Sequence, residues 1–281
     1  MMNESMYEKL TEALNERKNT FLLTITNHPE KQLIGAKALL WPDGDFYTED
    51  PISLDLNKSL IEKCEKLIKK NRSGTIDLQW NEDSIEWFAE YFPAPIHLII
   101  AGGGHVCEPV AEMGRMLGFF VTVLDDRAEF ASRDRFPLAD QVICRPYLQY
   151  FQTVKLSDKT YILLLTRGHK YDVLSLRELL NRNEKPAYIG MIGSRRRISG
   201  VFEELKQDFP DDYFDQLYTP VGLDIGAETP SEIAVSIMAE IVKVKNQKSG
   251  HSLSEKVRKY AKLGFQEGVQ NGAASTHKTR D

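Results

Sequence analysis

Between residues 97 and 126 the chain reads HLIIAGGGHVCEPVAEMGRMLGFFVTVLDD, and several residue types in this stretch are suited to holding a phosphate-bearing ligand. Gly102 permits a tight turn after an apolar run. Gly104 lets backbone N–H groups approach a diphosphate at the positive end of a following helix. The acids Asp125 and Asp126 close a second apolar run, and Asp125 lies 21 residues beyond Gly104, the separation from which a carboxylate hydrogen-bonds a ribose diol in a dinucleotide site. Cys107 stands where a third glycine or alanine is usual, and it is small enough for close helix–strand packing. His105 follows the glycines at the rim of the loop, where an imidazole serves either a ligand or the turn itself. The pattern describes a nucleotide-binding fold, or a doubly wound scaffold whose loop holds another ligand or none.

Three further clusters follow apolar runs. Thr166, Arg167, Gly168, His169, Lys170, Tyr171 and Asp172 collect a hydroxyl, cations, an imidazole and a carboxylate at a strand end. There His169 with Asp172 could orient a proton transfer, or the segment could be a capped loop without chemistry. Gly193, Ser194, Arg195, Arg196 and Arg197 deliver backbone N–H groups, a hydroxyl and three guanidinium groups to a helix start, a set matched to an anionic ligand. Asp224, flanked by Gly222 and Gly226, sits in a loop that either closes the site or only turns the chain. The Tyr-x-x-x-Lys pair of short-chain dehydrogenases, the H-E-x-x-H zinc motif and the Walker A loop are absent.

These residues need an alternating scaffold to bring them together. Short apolar runs at residues 97–101, 120–124, 161–165 and 187–192 are separated by stretches long enough for helices, the pattern of a parallel sheet with crossover helices. Thr229, Pro230 and Glu232 have the order of N-cap, N1 and N3 in a capping box that opens a last helix. The prolines at 93 and 95 mark a stiff boundary. The resulting expectation is an α/β protein: a small α+β N-terminal domain over residues 1–92, a Rossmann-like domain with a parallel sheet over 95–245, and a basic polar tail over 246–281. Within the first domain, residues 21–26 and 34–41 read as strands, with a turn at 42–45. Leu56, Leu60, Cys64, Leu67 and Ile68 mark one face of a helix beginning near Leu54.

Composition narrows the function. The 281 residues are 42% hydrophobic and 27% charged, with a net charge of −5, so the chain is globular and has no general attraction for nucleic acid or an anionic membrane. Basic character is confined to the tail, where residues 242–281 hold nine Lys or Arg against three Asp or Glu. Three widely spaced cysteines support neither a disulfide framework nor a zinc site. No leader-like N-terminus or long apolar span is present, and a cytoplasmic protein is expected.

Taken together, GGGHV, DDRAEF, RFPLAD, YIGMIGSRRR and PVGLDIGAETPSEIAVSIMAEI resemble the XdhC/CoxI family, maturation factors of xanthine dehydrogenase and related molybdenum hydroxylases. The likeness runs in order from Pro95 to about Lys245. It implies a Rossmann-like domain, a homodimer, and a protein that binds the molybdenum cofactor (molybdopterin) as cargo, aids its sulfuration with a cysteine desulfurase as a further partner, and hands it to a xanthine dehydrogenase-type hydroxylase. The wider family includes a cytidylyltransferase acting on the same pterin. Gly35, Ala36 and Lys37 resemble the family's G-A-K-M segment. The family's G-G-C-V-E cysteine has no counterpart in residues 47–57, so this chain uses another ligand or has another role, and Arg167 stands where the family commonly has His. An NAD(P)-dependent oxidoreductase and a nucleotide-responsive regulatory module are the alternatives.

Overall fold

The computed structural model of the chain describes residues 5–50, 58–80 and 83–254. The first unit begins with α1 (Met6–Asn15), opened by a capping box in which the Ser5 hydroxyl accepts from the Glu8 N–H and the Glu8 carboxylate reaches back to the Ser5 N–H. The strands β1 (Thr20–Asn27), β2 (Lys37–Leu40), β3 (Phe46–Tyr47), β4 (Gly74–Trp80) and β5 (Asp83–Phe92) form one antiparallel sheet in the order β3-β2-β1-β5-β4. Because side chains alternate along a strand, Phe21, Leu23 and Ile25 face the helix α2 (Lys58–Lys69) through Leu60, Cys64 and Leu67, while Leu22 and Leu39 face Met6 and Leu10 of α1.

Two expectations change here. The second strand starts at Lys37 rather than Ile34, because a 3-10 turn over Lys31–Leu33 and the left-handed Gly35 (φ 93°) occupy the preceding residues. The helix expected from Leu54 is described from Lys58, so Leu54 and Leu56 lie outside the described residues.

The second unit is a six-stranded parallel sheet in the order β11-β10-β9-β6-β7-β8. Its strands are β6 (His97–Ala101), β7 (Phe120–Asp125), β8 (Gln141–Cys144), β9 (Thr160–Leu164), β10 (Tyr188–Met191) and β11 (Leu217–Tyr218). Every residue of β6 and β9 is buried, which explains their continuous apolar runs: helices cover both faces of a parallel sheet. On one face lie α3 (Cys107–Met116) and α7 (Pro230–Lys245). On the other lie α4 (Tyr147–Thr153), α5 (His169–Asn181) and α6 (Arg195–Leu205). The capping box of α7 forms as its residues predict, with Thr229 accepting from the Glu232 N–H and the Glu232 carboxylate accepting from the Thr229 N–H at 2.9 Å. Among the described residues no helix is long and apolar enough to cross a membrane.

The two units meet at the amino ends of the parallel strands. Asn19 accepts from the Tyr91 hydroxyl (2.7 Å), the Ala94 N–H (2.9 Å) and the Lys159 ammonium (2.7 Å), and the Arg17 guanidinium lies over the Phe120 ring. Lys159 precedes β9 and Phe120 opens β7, so this junction leaves the carboxyl ends of the strands clear.

Candidate functional site

The strand order places β6 between β7 and β9 and reverses the direction of winding there. In open α/β sheets a ligand binds outside the carboxyl ends at such a switch point. The chain leaves β6 through Gly102, Gly103 and Gly104, and each glycine has a different reason to be there. Gly102 is left-handed (φ 123°), and a β-carbon on it would lie 2.2 Å from the Leu165 carbonyl oxygen. A β-carbon on Gly103 would lie 2.2 Å from the Phe130 carbonyl oxygen. One on Gly104 would meet nothing within 4 Å. The first two glycines let the loop pack against the strand ends, and the third leaves its backbone facing open space. Sequence reasoning passed over Gly103, which the uninterrupted glycine triplet marks.

The loop then enters α3, whose N-cap position, Val106, supplies no side-chain acceptor. Among the described residues the N–H groups of Gly104, His105 and Val106 find no acceptor, so unmet donors gather at the positive end of the helix. His105 is exposed beside them. Cys107 is fully buried, and burial pushes its thiol well above the usual range, which makes it a packing residue.

Asp125 stands at the end of β7, where its carboxylate is taken up by donors of the chain itself. One carboxylate oxygen accepts from the backbone N–H (3.0 Å) and Nε (2.9 Å) of Arg127; the other accepts from the Gly103 N–H (2.8 Å) and Nη2 of Arg127 (3.0 Å). The group is fully buried, and each of its oxygens accepts two of these bonds. Burial alone would raise its pKa, but the Arg127 side chain and the two backbone N–H groups outweigh it and hold the carboxyl down at about 2. Asp125 therefore fixes the glycine loop to β7. Beside it Tyr147 is buried with its hydroxyl unpaired, and burial together with the Asp125 charge keeps that phenol protonated. Asp126, the next residue, takes a fork from Arg167, with Nη2 to Oδ2 at 2.9 Å. The same guanidinium lies 4.1 Å from the centre of the Tyr171 ring and also donates to the Tyr171 hydroxyl.

The cluster after β9 is arranged differently from the expected pair. Asp172 is fully buried; one oxygen accepts from the Thr166 hydroxyl at 2.6 Å and the other from Arg197 Nε at 2.7 Å. Arg197 also donates to the Thr166 carbonyl (3.0 Å) and hydroxyl (3.1 Å). Burial raises the Asp172 pKa against these hydrogen bonds and against nearby His169. His169 does not bond Asp172; its Nε2 pairs with Glu204 of α6 at 3.0 Å on an exposed surface. The catalytic dyad of His169 and Asp172 is thus not formed, because Asp172 turns inward between α5 and α6.

Arg197, expected at an anionic ligand, is committed to that buried carboxylate, whereas Arg195 and Arg196 remain exposed. Ser194 caps α6, its hydroxyl accepting from the Arg197 N–H. Gly193 precedes it, and a β-carbon there would meet Arg197 and Ile198 at ordinary contact distance. Asp224 is exposed in the loop after β11, which is anchored by the Val221 N–H to the Met191 carbonyl (3.0 Å) and the Ser236 hydroxyl to the Leu223 carbonyl (2.6 Å). The structure therefore brings Gly102, Gly104, His105, Asp125, Asp126, Thr166, Gly193 and Ser194 to the same edge of the sheet. It adds Arg127 and Tyr147, and it gives Arg167 of the second cluster a partner, Asp126, that spacing alone does not reveal. Among the described residues no group of three His, Cys, Asp or Glu is placed to hold a metal ion.

Comparison with known proteins is consistent with this architecture. A family model described as the XdhC Rossmann domain matches residues 98–241. The chain is similar to a protein of Bacillus subtilis (strain 168) described as a probable xanthine dehydrogenase component, 31% identical over 174 residues, which are 62% of this chain and 50% of that protein. It is also similar to "Uncharacterized protein YqeB" of Escherichia coli (strain K12), 30% identical over 156 residues, 54% of this chain and 28% of that one. The chain thus spans half or less of the length of these two curated relatives. Among solved structures, a crystal structure of a xanthine dehydrogenase from Bacillus halodurans matches with a TM-score of 0.49 and 21% identity, covering 89% of this chain and 98% of the other.

Proposed function

Given that the chain belongs to the XdhC family through the Rossmann domain at residues 98–241, we propose that it is an accessory protein which holds the molybdenum cofactor, aids its sulfuration and delivers it to a xanthine dehydrogenase-type hydroxylase. The observation that carries this reading is the glycine loop at the switch point. Its outer residue, Gly104, faces space that a β-carbon would enter freely, and the adjoining N–H groups at the start of α3 have no acceptor among the described residues. Such donors suit a phosphate group, which the pterin cargo carries.

The two ends of that cargo meet different surroundings. The phosphate end fits the loop, and Ser194 with exposed Arg195 and Arg196 borders the same edge. The metal end finds no cluster of His, Cys, Asp or Glu among the described residues. Cys64 and Cys107 are buried, with the Cys64 thiol pushed up to about 12 by burial. In this proposal the protein grips its cargo by the phosphate and leaves the molybdenum end facing outward. There a sulfur-donating partner and the acceptor hydroxylase can reach it. The chain's own residues bind and orient, Asp125 and Arg127 holding the loop in shape.

Calorimetric titration with isolated molybdenum cofactor, and separately with NADPH, tests this directly. Binding of the cofactor with loss of binding in Gly104→Val is the expected result. Binding of NADPH alone would replace the carrier reading with a nucleotide-dependent one on the same loop.

A further inference from the structure

Resting on the proposed phosphate site, we infer that Arg167 is the residue that reads the ligand's anionic group, and that Asp126 holds it in reserve by strapping it across the mouth of the crevice. Arg167 follows β9 and Asp126 follows β7, with β6 and its glycine turn between them. At a strand spacing of about 4.8 Å, their ion pair crosses roughly 10 Å of sheet edge beside the glycine loop. The crossing is fully formed: the guanidinium makes a two-pronged contact with Asp126 and is steadied from below by the Tyr171 ring and hydroxyl.

Three features single out this pair as the one that yields. Asp125 is fully buried and held by Arg127 and the Gly103 N–H, whereas the acid of the other pair, Asp126, and its partner Arg167 retain 20% and 32% exposure of their side chains. Beside the pair lies the buried hydroxyl of Tyr147, which neighbours Asp125, Asp126 and Arg167. Finally, Arg197 after β10 does not compete for this role, since it is locked to Asp172. An incoming phosphate offers Arg167 the same planar two-oxygen fork that Asp126 gives it. The exchange breaks one ion pair and forms another, with Asp126 turning to solvent. Anionic ligands are thereby selected, because a neutral one does not repay the broken pair.

The test uses the full chain, inorganic pyrophosphate as the probe, and calorimetry at constant ionic strength. Asp126→Asn removes the competitor and is expected to bind pyrophosphate about fivefold more tightly than the wild type, the scale of a partly exposed ion pair. Arg167→Gln is expected to lose most of the affinity, and the double variant to match Arg167→Gln, since the carboxylate acts only through the guanidinium. Thermal melting of each variant checks that the fold is kept, and Arg167→Lys is expected to recover part of the affinity. If Asp126→Asn binds no more tightly while Gly104→Val abolishes binding, the strap is overturned and the loop site stands. If no form binds pyrophosphate, or Gly104→Val binds it as the wild type does, the loop site fails and the strap with it.

Discussion

Placing a valine at Gly104 separates ligand binding from folding more sharply than any other single change in this chain. The backbone there is not left-handed, and a β-carbon meets no atom within 4 Å, so attaching a side chain there brings no clash at its β-carbon. Restricting the unfolded chain favours the variant by about 0.4–1 kcal/mol, and folding stability should stay within about 1 kcal/mol of the wild type. Binding is another matter. A branched side chain on that atom keeps a phosphate out of reach of the N–H groups at 104–106. Losing two charge-assisted hydrogen bonds at about 1.5–3 kcal/mol each predicts an affinity loss of at least a hundredfold. Gly102→Ala is the opposite control: φ of 123° and a 2.2 Å approach to the Leu165 carbonyl should cost several kcal/mol of folding stability, on the order of 3. Urea unfolding and calorimetry on both variants give the comparison. Equal destabilisation by the two substitutions, or undiminished affinity in Gly104→Val, would refute the geometry argued for the loop.

Other consequences follow from the buried charges and thiols. The Asp125 carboxyl is depressed from 3.8 to about 2, so its stabilisation is present above pH 4 and is lost as pH falls through 4 towards 2. The urea midpoint of the wild type should drop across that window by the equivalent of about 2 kcal/mol, and Asp125→Asn should lack that drop. Arg197→Gln leaves Asp172 buried without its cation and should lower stability by about 3 kcal/mol, with Asp172→Asn in the same chain restoring part of it in a double-mutant cycle. A thiol reagent should modify Cys144 promptly in the native protein, because it alone of the three cysteines is exposed, and reach Cys64 and Cys107 only on unfolding; rapid native reaction of all three would contradict the packing described.

What could be read in advance divides along a physical line. The continuous apolar runs of β6 and β9 announce strands buried on both faces, and Gly102 and Gly104 after the first announce a tight turn with backbone open to a ligand. Those features depend on composition over a few residues. Thr229, Pro230 and Glu232 are legible for the same reason, since a capping box is closed within one turn. The role of Asp125 is different: spacing gives its place at the end of β7, but its partner is decided by the rotamer of Arg127, two residues on. His169 and Asp172 sit three apart at a helix start, a spacing that allows contact, yet the roll of α5 buries one and exposes the other. The pair Asp126 and Arg167 is 41 residues apart and exists only because β6 inserts between their strands. In the first unit, β4 and β5 escape notice because the alternation of Ile76 and Leu78, then Ile85, Trp87 and Ala89, is half polar, as befits strands with one wetter face.

The central claim is that this crevice carries a phosphate-bearing molybdenum cofactor to an acceptor enzyme. Its most direct test is to load purified wild-type protein and Gly104→Val with isolated cofactor, remove free cofactor, add apo-xanthine dehydrogenase, and follow recovery of hydroxylase activity. The account predicts recovery with the wild type and little above background with the variant. Equal recovery with both proteins, or none with a wild type shown to bind nothing, would contradict it.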